Sequence, residues 1–204
     1  MGIEISIDRR ITRTKLAIRS ALVSLIEEKG FDDVSVSEIT NRADINRGTF
    51  YLHYRDKFEL LDCTVNEVIF DIEKIFLDAN SLIVNDFISV DQPLPIAVKI
   101  FEYVKDNEAL MRALFGLGGG VPFLTKLRQV AENNLKLGFL ANLKAINFLV
   151  PREYLISYML LAHYGVIQSW LDTGCKESPG EMARILSRLS LEGPLRIAGF
   201  ELKN

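Results

Sequence analysis

The chain has 204 residues, enough for one compact domain or for a small one joined to a larger one. Apolar residues make up 49% of it and the formal net charge is −3. These values exclude a disordered chain and a uniformly basic nucleic-acid binder, so any such role has to rest on a local patch.

The N-terminus, MGIEISIDRR, carries an early acidic residue and lacks an apolar run of signal-peptide length. Two scattered cysteines, Cys63 and Cys175, in no metal-ligand or CxxC spacing, read as a reduced cytoplasmic protein with no metal site. Helical period runs over 9–29, with Ile11, Ile18, Leu22 and Leu25 on one side, Ala21 and Ile26 beside them, and Gly30 as the terminating C′ glycine. Five cations crowd its first half: Arg9, Arg10, Arg13, Lys15 and Arg19, against Glu4 and Asp8 within residues 1–19. Ser35-Val36-Ser37-Glu38 is a capping box, and the short helix it opens turns Val36, Ile39 and Ala43 inward. A break at Asp44-Ile45-Asn46 leaves Asn46 as N-cap of a second short helix, extending to about Tyr54. Asp56-Lys57-Phe58-Glu59 is a second box and opens a long helix to about Asn80.

Residues 81–95, with Asn85, Asp86, Asp91, Pro93 and Pro95, read as a loop. Helix resumes over about 95–115 and is broken by Gly116 and Gly118-Gly119-Gly120; the glycine run lacks a nucleotide-loop context and reads as a plain loop. Pro122 suits the first turn of a helix reaching about Phe148. Pro151 starts the next helix, which ends near Thr173-Gly174. Ser178-Pro179-Gly180-Glu181 opens the last one, ending near Leu191 before a short apolar tail from Gly193-Pro194. Residues 154–171 carry no formal charge, at the lower limit of a membrane span. The polar residues Ser157, His163, Gln168 and Ser169, and charges close on both sides, favour a helix buried in a core or a subunit interface, with no membrane partner. No segment alternates like a strand. The expected fold is all-α with nine helices, three short or medium ones in front and six behind.

Two short helices joined by a tight turn over 35–54, with longer helices before and after, predict a helix-turn-helix. Arg47, in the first turn of the second helix, can reach guanine O6 and N7 in a major groove. Gly48 is costly inside a helix by about 1 kcal/mol, and close approach to a phosphodiester is a reason for it. Thr49 and Tyr51 offer hydroxyls to phosphate oxygens, and Lys57 begins a helix whose amides favour an anion. Phe50 reads as core. His53 and Tyr54 fit either the core or a DNA contact. Ser35 and Ser37, at the start of the first short helix, join the candidate DNA-facing set.

Residues 12–61, TRTKLAIRSALVSLIEEKGFDDVSVSEITNRADINRGTFYLHYRDKFELL, closely resemble the DNA-binding domain of the tetracycline-repressor (TetR) family. The pattern is Gly-Phe after the first helix, a Ser-capped helix with Glu-Ile, then Gly-Thr-Phe-Tyr-x-His-Tyr and Asp-Lys-x-x-Leu-Leu. By that resemblance Thr49, Tyr51 and Lys57 match phosphate-contact positions, while Asn46 and Arg47 sit where the recognition helix meets the groove. The turn departs from the family's Ala-Gly: here it is Ala43-Asp44, and Asp tolerates left-handed backbone better than most residues. The rear segments FEYVKDNEALMRALFGLGGGVPFLTKL and SWLDTGCKESPGEMARIL resemble one branch of the family common in low-GC Gram-positive bacteria.

The resemblance implies a DNA-binding domain over 8–61 and a larger helical regulatory and dimerisation domain over 62–204. It further implies a homodimer through the last two helices, double-stranded operator DNA as partner, no cofactor, and a small-molecule effector that relieves repression. Aromatic and sulfur side chains offered to such an effector are Phe101, Tyr103, Met111, Phe115, Phe139, Tyr158 and His163, though helical spacing also suits plain core. The other readings are a co-regulator of the same fold that binds a protein instead of DNA, and an enzyme. Against the enzyme, neither histidine, His53 or His163, lies near a nucleophile pattern, and no metal spacing or phosphate loop occurs.

Overall fold

The computed structural model describes residues 2–80, 92–116, 120–137 and 149–200. In chain order the helices are α1 (Gly2–Lys29), α2 (Val36–Arg42), α3 (Arg47–Tyr51), α4 (Lys57–Asn80), α5 (Pro95–Asp106), α6 (Glu108–Phe115), α7 (Gly120–Leu137), α8 (Arg152–Asp172), α9 (Pro179–Glu192) and α10 (Pro194–Ile197). The described residues contain no strand, as expected.

Helix starts follow local chemistry. Ser35 accepts from the Glu38 N–H while Glu38 accepts from the Ser35 N–H, and Ser178 and Glu181 repeat the arrangement at α9, where Pro179 is the first helical residue. At α4 the box is lopsided: Asp56 accepts from the Glu59 N–H at 2.8 Å, but Glu59 accepts from the Arg55 N–H instead of that of Asp56.

Several expected boundaries move. α1 starts at Gly2 and not at 9, because nothing between 3 and 9 interrupts a helix. α3 ends at Tyr51, short of Tyr54. The helix expected over 95–115 is two: Asn107 sits between them at φ −117°, and its side-chain amide at 2.9 Å and its own N–H at 3.1 Å both donate to the Tyr103 carbonyl at the end of α5. The expected apolar tail forms the single turn α10. Residues 138–148, including Phe139, and the glycines Gly118 and Gly119 lie outside the described residues. No helix among the described residues is long and apolar enough to cross a membrane.

The chain divides into two compact units. One is Met1–Val68 with Ala109–Phe123; the other is Ile69–Glu108 with Leu124–Asn204. In the first, Ile18, Leu22 and Leu25 of α1 are buried together with Ile39, Phe50, Leu60 and Val65. Ile11, expected on the same face as Ile18, is 40% exposed, and Val36 and Ala43 are only half-buried. Met111, Leu114, Phe115 and Phe123 are also in this core, and Arg112 of α6 pairs with Glu27 of α1 at 3.4 Å. In the second unit Phe101 of α5 meets Trp170 of α8 edge to face at 5.2 Å, and the Trp170 indole donates to the Glu177 carbonyl at 3.2 Å. The Leu94 N–H donates to Ser187 Oγ at 2.8 Å, joining the start of α5 to α9.

Candidate nucleic-acid interface

The turn between α2 and α3 decides where α3 points. The Asp44 N–H donates to the Asn41 carbonyl at 3.3 Å and the Ile45 N–H to the Thr40 carbonyl at 3.0 Å, the pair of bonds of a Schellman motif. Asp44 occupies its left-handed position at φ +52°, where glycine is the usual residue. The departure from Ala-Gly is therefore absorbed with the turn intact.

Phe50 is fully buried and Tyr54 is 6% exposed; their rings lie 5.8 Å apart. These two residues clamp α3 to the core, and burial pushes the Tyr54 phenol pKa up. The opposite side of α3 is open. Asn46, Arg47, Gly48, Tyr51 and Leu52 are exposed, Leu52 at 82%; Thr49 and His53 are half-buried at the edges. Asn46 occupies the N-cap position of α3, but its side chain makes no capping bond, so the cap expected from sequence is positional only. A Cβ at Gly48 would meet nothing within 4 Å, and its φ is an ordinary one. Among the described residues nothing requires glycine there.

The other expected contacts are placed differently. Tyr54 faces the core. The Ser35 hydroxyl is engaged in the capping box, where the Lys29 ammonium, the Ser35 hydroxyl and the Ser35 N–H hold the Glu38 carboxyl down to about 2. Ser37 is half-buried in the first turn of α2. Lys57 directs its ammonium inward, onto the carbonyls of Phe31, Asp32 and Val34 at 3.1, 2.8 and 2.8 Å, over the Phe31 ring at 4.8 Å. Three N–H bonds meet three carbonyls, so the cation that the sequence offered to a phosphate ties the α1–α2 loop to the start of α4. In the basic stretch of α1, Arg9, Arg10, Arg13 and Lys15 are exposed, whereas Arg19 pairs with Glu67 at 2.8 Å. Arg42 grips the Glu28 carboxylate with both terminal nitrogens, fixing α2 to α1. Leu52 escaped the sequence reading; its signal is its place one helical turn after Gly48.

The described residues offered to an effector are divided between the two units. Met111 and Phe115 are buried in the first unit, Phe115 against Phe123 at 5.5 Å. Phe101 is fully buried against Trp170 in the second unit. These three are core, as helical spacing alone allowed. Tyr103 donates to Asp71 at 3.2 Å, Tyr158 is exposed, and His163 is half-buried with Nε2 3.0 Å from Ser190 Oγ. Burial lowers the His163 pKa.

Comparison with known proteins agrees with this arrangement. Residues 18–63 match the family described as bacterial regulatory proteins, tetR family, and residues 91–192 match the transcriptional regulator C-terminal region of the same group. The uncharacterized HTH-type transcriptional regulator YxbF of Bacillus subtilis (strain 168) is 40% identical over 63 residues, a match spanning 30% of this chain and 17% of that protein. A TetR transcriptional regulator from Streptococcus agalactiae 2603V has the same fold, with TM-score 0.62 and 21% identity over 91% of this chain and 98% of that one. The fatty acid degradation regulator FadR from Bacillus halodurans gives a TM-score of 0.61 and 19% identity over 88% and 95%. Family and fold are those of regulators and not of enzymes. An open recognition helix in a helix-turn-helix, with matches at both ends of the chain, makes this protein a member of the TetR family of DNA-binding transcriptional regulators.

Proposed function

We propose that the protein is a cytoplasmic, homodimeric repressor whose operator binding is relieved by a small molecule held in the second unit. The carrying observation is the open face of α3, with a glycine at its centre that no internal contact requires. Arg47 and Asn46 read base edges, Thr49, Tyr51 and His53 hold phosphates, and Arg9, Arg10, Arg13 and Lys15 supply the local positive field that the net charge of −3 does not.

Dimerisation through α8 and α9 is supported by the exposed side of α8. Tyr154, Tyr158 and Leu161 recur at i, i+4 and i+7 and are exposed, and Ile185 on α9 is exposed too. A symmetric dimer then reads half-sites one helical turn or a multiple apart. Relief follows from linkage: an effector preferring the dimer with poorly spaced heads weakens DNA binding by the factor by which DNA weakens effector binding. Among the described aromatic and histidine candidates of the second unit, Tyr103, Tyr158 and His163 are not fully buried.

Footprinting on the DNA upstream of the protein's own gene, at several salt concentrations, tests the reading. Salt-sensitive protection of a two-fold symmetric site supports it; no protection at any flanking site sinks it.

A further inference from the structure

The recognition helix exposes a large apolar side chain at its far end. With about 100° between successive residues of an α-helix, Arg47, Tyr51, Gly48 and Leu52 fall in that order across an arc of about 140°. All four are exposed, and Phe50, on the other side of the helix, is buried. Leu52 closes the arc beside Gly48: its N–H donates to the Gly48 carbonyl at 3.1 Å, one turn away. Gly48 leaves open space, and Leu52 is 82% exposed at the edge of that space. On a face otherwise made of a guanidinium, a phenol and bare backbone, this side chain is the apolar group offered to the partner. In a major groove the one apolar group that distinguishes a base is the C5-methyl of thymine.

We infer that Leu52 is a specificity-determining residue that packs on a thymine methyl in each half-site, alongside the base edge taken by Arg47. The inference rests on the reading of α3 as the operator-facing helix. Gly48 lets the helix axis come close enough for a short branched side chain one turn on to reach a base. The two residues act as a pair, the glycine setting the depth and the leucine reading the base.

The test uses the full-length protein and the footprinted operator, with each thymine replaced singly by deoxyuridine, which removes only the methyl. Wild type is expected to lose about fourfold in affinity at one thymine per half-site, the factor corresponding to burial of one methyl group. Leu52→Ala should bind the thymine and uracil duplexes at that position equally, and Leu52→Met should restore the preference in part. Leu52 is exposed, so an unchanged melting temperature in these variants separates recognition from folding. A uracil penalty of the same size in wild type and Leu52→Ala at every position overturns the inference while leaving operator binding standing. Failure of wild type to bind any site removes the operator reading and this inference together.

Discussion

Lys57 donates to the Val34 carbonyl at 2.8 Å, and this bond, with those to Phe31 and Asp32, makes the first residue of α4 the tie that closes the α1–α2 loop. Phe31 and Phe58 meet edge to face at 5.4 Å, and the same ammonium lies 4.8 and 5.4 Å from their centroids. The cation is held by carbonyls and π faces together, all aimed at the same small volume.

Lys57→Met keeps the stem and removes the charge. It is expected to lower stability by about 1–3 kcal/mol, because carbonyls that lose a charged donor are left short of partners. Urea unfolding reads this as a lower midpoint at unchanged slope. An unchanged midpoint, with the salt dependence of operator binding lowered by about one ion, would return Lys57 to the role of phosphate clamp.

Gly48→Ala separates folding from recognition. The added methyl meets nothing inside the protein, and alanine favours helix by about 1 kcal/mol, so the variant should be more stable by up to that amount. Operator affinity should fall, since the methyl occupies the space into which the duplex fits. Equal operator affinity in the variant removes close approach as the reason for the glycine.

Asp44 holds the left-handed position of the turn at φ +52°, and the strain there is of the order of 1 kcal/mol for a residue with a Cβ. Asp44→Gly is expected to raise stability by about 0.5–1 kcal/mol in thermal unfolding. Asp44→Asn keeps the left-handed tolerance and removes the charge, so comparing the two in operator titrations isolates electrostatics. Both should bind more tightly at low salt, with the gain shrinking as salt rises. A gain confined to the glycine variant would assign the effect to the backbone.

His163 sits in a defined tautomer. The single Ser190 hydroxyl hydrogen goes to the Leu186 carbonyl at 2.8 Å, so Ser190 Oγ accepts at 3.0 Å from a protonated His163 Nε2. Burial depresses its pKa below the ordinary value near 6.5, so the native state binds fewer protons than the unfolded one between the two values. Stability therefore rises with pH through that window and falls as pH is lowered below the ordinary histidine value. His163→Gln keeps a donor to Ser190 and should flatten the dependence, with His53→Gln, the other histidine of the chain, as control. An identical pH slope in wild type and His163→Gln would show that the burial of His163 is not what sets it.

The helix-turn-helix was legible because its signals are local. Ser35 and Glu38 reach each other within one turn, Gly30 ends α1 by its own backbone freedom, and Phe50 declares itself core through spacing. The break at Asn107 went unread because a single asparagine within helical period looks continuous until its side chain takes the Tyr103 carbonyl. The candidate effector residues were the least legible, since aromatic residues at helical spacing look alike whether they line a pocket or fill a core. Phe101 and Trp170 lie 69 positions apart in sequence and 5.2 Å apart in space.

By itself the amino-acid sequence determined the helical class, the Ser35 and Ser178 caps and the turn before α3, because each depends on residues within a few positions of one another. Tertiary structure alone decided which cations face outward. Lys57 and Arg19 read as free positive charges in the sequence, yet Lys57 is engaged by carbonyls 23 to 26 positions away and Arg19 by a carboxylate 48 positions away. A charge finds its partner through the packing of helices, and that packing is set by the whole core and not by the neighbours of the charge.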